Sequence, residues 1–477
     1  MNESTAPSAT GDVPGFLGDL RRRLPGLRVL TDVADRESYR RDETPFIAAD
    51  LPEAVVLPVS TAEVAVLVQL AAEHRVPLVA RGAGTGLSGG ANGVAGAVTV
   101  SFARMDRILE IDEANLVAVV QPGVVNADLK KAAADRGLFY APDPASYETC
   151  SIGGNLSTNA GGLCCVKYGQ TRESVLGLEV VLADGSIVRT GGRNMKDVAG
   201  YSLTHLIVGS QGTLALITEA TLRLRPMPPV RSTLVAFFGL LEDAGRAVSA
   251  IATDGLAPVT LELLDRESIR AVDDAFSLGL ERDAEAMLLV ESDLPGEAAA
   301  SEIERATAVC EREGATLVVR AADPQEADWL RQARRMALHA LERQGEVKME
   351  DVVVPRSQVA PLIRAITRAA EHAGVRCATF GHAGDGNLHP NLVFERGDPT
   401  AAARTDAFRD EIYRVAIELG GSMTGEHGVG SARTAYLSLQ RGEAAVGIMR
   451  RIKDALDPLG ILNPGKVLPP ASRSDRQ

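Results

Sequence analysis

The chain has 477 residues, of which 45% are hydrophobic and 24% charged, a globular composition with length enough for two or three domains. Its 50 Lys and Arg against 63 Asp and Glu leave a net charge of −13, a surface that repels phosphate backbones and anionic lipid and so argues against nucleic-acid or direct membrane binding. An anionic small-molecule substrate would need a local positive site built against that field.

In chain order, residues 1–15 read as a loose tail and helical residues around 16–42 as a lead-in, so 1–50 precede the first domain. The opening MNESTAPSATGDVPGF has no apolar core behind a basic start and does not read as a signal peptide. No run of about 18 apolar residues follows anywhere. Thr61 is the expected N-cap of an amphipathic helix carrying Val64, Leu67 and Leu70 and ending near His74. VPLVA (76–80), AVTVSF (97–102), LVAVVQPG (116–123), LGLEVVLADGSIVRT (176–190) and LALITEATLRLRP (214–226) read as strands, the fourth folded at Asp184-Gly185. Pro226-Met-Pro-Pro229 breaks regular structure and sets the boundary between domains at 51–228 and 229–470, with a tail at 471–477. Beyond it, STLVAFF, VTLELLD, AMLLVESD and TLVVRAA alternate with helices such as 297–314, which predicts an α+β layer with an antiparallel sheet. From about 325 helices are expected to dominate. The five cysteines are odd in number and lack CxxC spacing, so a reduced, cytoplasmic protein is expected.

Two glycine clusters stand out. Arg81-Gly82-Ala83-Gly84-Thr85-Gly86-Leu87-Ser88-Gly89-Gly90 follows a predicted strand and contains a formal GxGxxG. A Rossmann fingerprint must open a helix, whereas ANGVAGAVTVSF leads into another strand, so that reading fails. The alternative is a long loop whose backbone N–H groups turn inward to an anion. A second such loop runs from Pro142-Asp143 through Thr149, Gly153-Gly154-Asn155 and Asn159 to Gly162. Two loops suit a large, extended, phosphorylated ligand; the bland reading is that they are only tight turns.

Three of the seven histidines fall in two further glycine-rich motifs, GHAGDGNLHPN (381–391) and SMTGEHGVG (422–430). His382 and His389 are seven apart, which on one straight strand places them on opposite faces. The intervening Gly-Asp-Gly-Asn is a turn able to fold both imidazoles to one point. Two imidazoles plus the carboxylate of Glu426 would suit a borderline divalent metal. The spacing matches no self-sufficient zinc motif, and histidines bonded to turn backbone fit equally well. Arg331, Arg334 and Arg335 lie in a helix-like run, where a guanidinium could bind a carboxylate or simply face solvent.

PVSTAEV, RGAGTGLSGG, QPGV, APDPASYETCSIGGNLSTNAGGL, KYG, VLGLEVVLADG, VGSQGTLALITEATLRL and the two histidine motifs together resemble, from about 50 to 468, the vanillyl-alcohol-oxidase-type flavoproteins. The branch is that of the glycolate oxidase D-subunit, D-lactate dehydrogenase and D-2-hydroxyglutarate dehydrogenase. The resemblance implies a two-subdomain FAD-binding domain (PCMH type) and an α+β substrate domain with an antiparallel sheet and a C-terminal helical segment. It implies that Arg81, Gly82, Ala83, Gly84, Thr85, Gly86, Leu87 and Ser88 hold the FAD pyrophosphate. Pro142, Asp143, Thr149, Gly153, Gly154, Asn155, Asn159 and Gly162 would line the cleft, with Gly212, Ile217, Asn463 and Lys466 completing it. The first loop carries Thr85 and no histidine, so the FAD is expected to be non-covalent. Cys164, where a basic or small residue is commoner, is read as packing with Cys165, a redox role being the alternative. The resemblance also implies a zinc-like divalent ion on His382, His389 and Glu426, Asn391 near the substrate, Arg334 as its carboxylate partner and His427 as the base that takes the hydroxyl proton. Where hydroxyglutarate enzymes carry a lysine stands Met349, with Lys348 beside it, a departure that favours glycolate or D-lactate. Electrons would leave to an iron–sulfur partner subunit, a quinone or a cytochrome, which allows peripheral attachment to the inner membrane. The competing readings are D-2-hydroxyglutarate dehydrogenase, an ether-lipid synthase or phenol oxidase of the same fold, a metal-dependent hydrolase, and a catalytically idle subunit.

Overall fold

A computed structural model describes residues 11–470. Of the tails expected at 1–15 and 471–477, residues 1–10 and 471–477 lie outside the described residues. The chain divides into two compact units, one of residues 1–160, 170–227 and 426–477 and one of residues 161–169 and 228–425.

In the first unit, helices at Val13–Arg23 and Val33–Glu37 supply the helical lead-in that the sequence suggested, with a strand at Arg28–Leu30 between them. That strand pairs antiparallel with β1 (Ala54–Leu57), so its edge position, not local propensity, decides its conformation. Helix α1 (Thr61–His74) follows. Its N-cap is Ser60 rather than Thr61: Ser60 accepts from the Glu63 N–H while Glu63 reaches back to the Val59 N–H, a reciprocal capping box shifted by one residue. Strands β2 (Leu78–Arg81) and β3 (Val98–Ser101) complete a four-stranded sheet in which β1, β3 and β2 run parallel. Val64, Leu67 and Leu70 of α1 bury against Val56, Leu78, Val98 and Val100. Between β2 and β3 no helix forms, which agrees with rejection of the Rossmann fingerprint.

A second sheet of five antiparallel strands has the order 108–112, 117–120, 216–223, 175–181 and 187–191. The last two form the expected hairpin, with Gly185 at φ +82, where a Cβ would be strained. The second glycine-rich stretch is not all loop: Ser151 caps helix α2 (Ile152–Thr158) through the Gly154 N–H.

Within the span 229–470 expected as one domain, the C-terminal segment from Glu426 groups by its contacts with this first unit. Hydrogen bonding supplies the reason. Leu78 N–H donates to Ile461 O and Asn463 N–H to Leu78 O, which adds the segment to the open edge of β2. Ile461 and Leu462 then bury in the same core.

The second unit is built on one antiparallel sheet of eight strands. Its strands include β4 (Ser232–Phe238), β5 (Thr260–Asp265), β6 (Ala286–Ser292), β7 (Glu346–Met349), β8 (Arg376–His382) and β9 (Asn387–Phe394). The order across it is 315–320, β4, β6, β5, β8, β9, β7, with 352–353 also on β9. From about 325 helices dominate, as expected, at Pro324–Arg335, Ala337–Gln344, Val359–Ala373, Ala401–Glu418 and Glu443–Leu456; between them β7, β8 and β9 extend the sheet, their apolar alternation packing Val347, Met349, Phe380 and Ala378 onto its core. Helix α3 (Pro324–Arg335), capped by Asp323, lies over this face through Leu330 and Ala333.

Candidate active site

In the second unit, the hairpin register decides the fate of the two histidines. Strands β8 and β9 pair Phe380 with His389 and His382 with Asn387. Cross-strand partners share a face, and residues two apart on a strand do too. His382 and His389 therefore lie on one face, which the odd spacing alone did not foretell. Their ring centroids are 5.2 Å apart. Ala378 pairs with Asn391, which puts the Asn391 amide on the same face. Its Nδ2 donates to Ala378 O and His389 O, and its buried Oδ1 has no hydrogen-bond partner.

The next strand over adds a carboxylate that sequence reasoning missed. Pairing of Leu263 with Gly381 sets Glu262 opposite His382. Glu262 Oε1 lies 2.6 Å from His382 Nδ1, and Oε2 accepts from Arg334 Nε at 2.7 Å. His382 is thus bonded to a buried side chain. Burial alone would push the Glu262 carboxyl up, but the adjacent His382 and Arg334 outweigh it and hold it below its usual range. The Arg334 guanidinium stacks 4.6 Å from the Phe380 ring centroid. Arg331 is not solvated: it pairs with buried Glu291, which also accepts from Arg231. Arg335 is the exposed member of the run.

Asp351, fully buried, accepts from Asn387 Nδ2, Thr424 Oγ1 and the Gly425 N–H, and its Oδ1 lies 3.8 Å from His389 Nδ1. Met349 pairs with Asn391 and shares its face, whereas Lys348 points to the opposite side, over the Phe394 ring. Cys164 accepts from Arg231 Nη2 in a buried position; Cys165 is partly exposed.

In the first unit, the loop from Gly82 to Ser88 lies beside the start of α2, where a Cβ on Gly82 would strike Ser151 Oγ. Arg81 is buried and donates to Arg41 O. Gly84 and Gly89 have φ +84 and +72; Ala83, Thr85, Gly86 and Leu87 lie between or beside them, at least partly exposed. Ser88 accepts from Gln211 Nε2 and, through its carbonyl, from Ser431 N–H. Gln211 in turn accepts from Gly430 N–H, so the segment carrying His427 folds against the glycine loop within this unit. His427 Nε2 lies 3.5 Å from Glu426 Oε1. Gln211, held at φ +53, was not singled out from the sequence; its position before Gly212 in SQGT was the available signal.

Asn463 Nδ2 donates to Gly90 O and Gln211 O, and its buried Oδ1 has no partner. Lys466 is buried beside Asp42, and burial pulls its ammonium down to about 8. Asp42 Oδ2 is likewise buried without a hydrogen-bond partner. Asn155 bonds Asn126, whose Nδ2 also reaches Pro142 O; Gly153 N–H bonds Pro122 O, with Gly154 beside it at the head of α2, and Asn159 closes that helix at φ +54. Asp143 is partly buried near this turn, Thr149 is exposed and bonds Ser146 O, and Gly212 sits at φ +70 with Ala80 Cβ 3.0 Å from where its Cβ would stand. Ile217 is buried in the apolar core of the five-stranded sheet, and Gly162 belongs to the second unit.

These features define an FAD-binding fold of the PCMH type joined to an α+β domain with an antiparallel sheet. The model for an FAD binding domain matches residues 52–191 and that for the C-terminal domain of FAD linked oxidases matches 227–467. The chain belongs to the FAD-linked oxidases. It is 44% identical to the glycolate oxidase subunit GlcD of Bacillus subtilis, covering 91% of this chain and 92% of that one. It is 38% identical to D-lactate dehydrogenase of Archaeoglobus fulgidus, covering 91% and 96%. A 4-ethylphenol oxidase from Gulosibacter chungangensis shares the fold at TM-score 0.80 and 22% identity, over 98% of this chain and 99% of that one. Among the described residues no helix is long and apolar enough to cross a membrane.

Proposed function

We propose that the protein is an FAD-dependent dehydrogenase that oxidises a small D-2-hydroxy acid, of the glycolate or D-lactate class, to the 2-oxo acid. The observation that carries this reading is the single sheet face presenting two imidazoles and the Asn391 amide, with the Arg334 guanidinium of α3 bonded to Glu262 on that face. The names of the relatives, glycolate oxidase subunit and D-lactate dehydrogenase, support the substrate class.

Both groups the reaction needs fit the residues present. The unpartnered Asn463 Oδ1 and the buried Lys466 are the kind of groups a bound ligand completes. The residues from Arg81 to Ser88 would hold the FAD, which would supply the hydride acceptor. His382 and His389 offer nitrogens within 4.8 Å of each other, a spacing that suits a shared divalent ion. His382 and His389, with Glu426 as the carboxylate that the resemblance implies, would hold zinc or a similar ion, which would supply a Lewis acid for the hydroxyl.

The protein's own groups divide the remaining work. Arg334 has its Nε occupied by Glu262, which leaves both Nη groups as a fork for the substrate carboxylate. Asn391 Oδ1 accepts from the substrate hydroxyl or orients it. His427 takes the hydroxyl proton, its imidazole suited to that transfer near neutral pH. Met349 lines the face beside Asn391, and Lys348 points away, so a second carboxylate on the substrate lacks a partner there. An iron–sulfur partner, a quinone or a cytochrome would be the final electron acceptor.

Anaerobic titration of the yellow holoprotein with D- and L-2-hydroxy acids tests the reading. Glycolate or D-lactate should bleach the flavin band near 450 nm, and His427→Asn should slow bleaching by about 10² to 10⁴. No bleaching with any acid would end it.

A further inference from the structure

The same sheet face carries a residue whose role no step above assigns. Glu262 is fully buried, and its two carboxylate oxygens go to two residues of different duty: Oε1 to His382 Nδ1 at 2.6 Å and Oε2 to Arg334 Nε at 2.7 Å. We infer that Glu262 is a positioning residue that couples the metal-binding histidine to the carboxylate-binding arginine. The inference rests on the proposed roles of His382 and Arg334 and adds a mechanical link between them.

The geometry explains how one carboxylate does both. An imidazole that donates Nδ1–H to a carboxylate is fixed as one tautomer, with the Nε2 lone pair directed away and available to a cation. A guanidinium that spends Nε–H on the other oxygen, with its plane held 4.6 Å over the Phe380 ring, can turn about neither bond. Phe380 also packs edge-on against His389 at 6.2 Å, so the second imidazole is braced by the ring that braces Arg334. The contacts close a circuit: Glu262, His382, His389, Phe380, Arg334 and back to Glu262. Displacing Arg334 therefore moves His382 through a single rigid carboxylate.

A buried carboxylate needs paired charge for folding alone, and Glu291 shows what that looks like on the same face. It is equally buried and lies between Arg231 and Arg331, with no imidazole. Glu291 is therefore the internal control for a purely structural role.

The experiment compares Glu262→Gln and Glu291→Gln in FAD-loaded protein. Zinc affinity is read by competition with a chromophoric chelator. Carboxylate affinity is read with 2-hydroxyisobutyrate, which has no hydrogen on C2 and cannot be oxidised, through its perturbation of the flavin spectrum. Glu262→Gln should weaken zinc binding 10- to 100-fold and 2-hydroxyisobutyrate binding about 10-fold, while Glu291→Gln moves neither by more than about twofold. Loss of only one affinity, or equal losses in both variants, would overturn the coupling. Should Glu262→Gln not fold, the wild-type protein still decides: ¹⁵N spectra of labelled imidazoles should report His382 as the Nδ1–H tautomer before zinc is added, and an Nε2–H tautomer overturns the inference. A wild-type protein that binds no zinc and shows no flavin bleaching would instead remove the proposed function, with the tautomer still reporting on Glu262.

Discussion

The imidazoles of His382 and His389 stand 5.2 Å apart and nearly perpendicular, at 84°, although seven positions separate them in sequence. The turn at 383–386 and the pairing of Phe380 with His389 bring this about. A site that forms from the register of a central hairpin is rigid before any ligand arrives, which favours tight metal binding.

The first prediction concerns that metal. Purified protein should carry about one zinc or similar ion per FAD. His389→Ala should lower the metal content, read by elemental analysis, to background while FAD content holds. Chelator-treated protein should lose substrate-driven bleaching and regain it on adding zinc. Full bleaching by metal-free protein would remove the ion from the reaction.

Arg334 offers a second test. Lysine keeps the charge but cannot bond Glu262 and present a two-pronged donor at once. Arg334→Lys should raise KM for D-lactate or glycolate about 10- to 100-fold, equivalent to about 1.4–2.8 kcal/mol. Arg334→Met should also destabilise the second unit by about 3–5 kcal/mol, because buried Glu262 loses a charged partner. An unchanged KM in the lysine variant would assign substrate binding elsewhere.

Substrate length should depend on Met349. It shares a sheet face with Asn391, whereas Lys348 does not. Met349→Lys should improve kcat/KM for D-2-hydroxyglutarate relative to D-lactate by about tenfold or more, a shift of about 1.4 kcal/mol. A variant with the preference of the parent would place the substrate's far end away from this residue.

A fourth prediction follows from Lys466, whose ammonium is pulled down to about 8 by burial. In the unfolded chain the group titrates near 10.4. Between those values the unfolded state holds more protons, so this group makes apoprotein stability rise with pH from about 8 to about 10.4. Below 8 both states are charged and the folded one bears the full desolvation cost, at most about 3 kcal/mol. Lys466→Met should raise apoprotein melting temperature at pH 7, flatten that pH dependence and weaken FAD binding. A pH profile identical to wild type would show that Lys466 keeps its ordinary proton affinity.

The sequence by itself determined the local elements and the chemical inventory. The apolar spacing of 61–74 specified its helix, Asp184-Gly185 specified a hairpin turn, and the strand that follows ANGVAGAV excluded a Rossmann loop. The glycine motifs carried the family, and with it the expectation of FAD. Tertiary structure decided what these residues meet. Local patterning says nothing about which strand lies beside which, so the face shared by His382, His389 and Asn391 came only with the register, as did the exclusion of Lys348. Glu262 sits in an ordinary strand sequence, VTLELLD, 120 residues from its histidine partner. Residues 426–470 group with the first unit, where the open strand edge at Leu78 exchanges hydrogen bonds with Ile461 and Asn463, a demand invisible until the sheet exists.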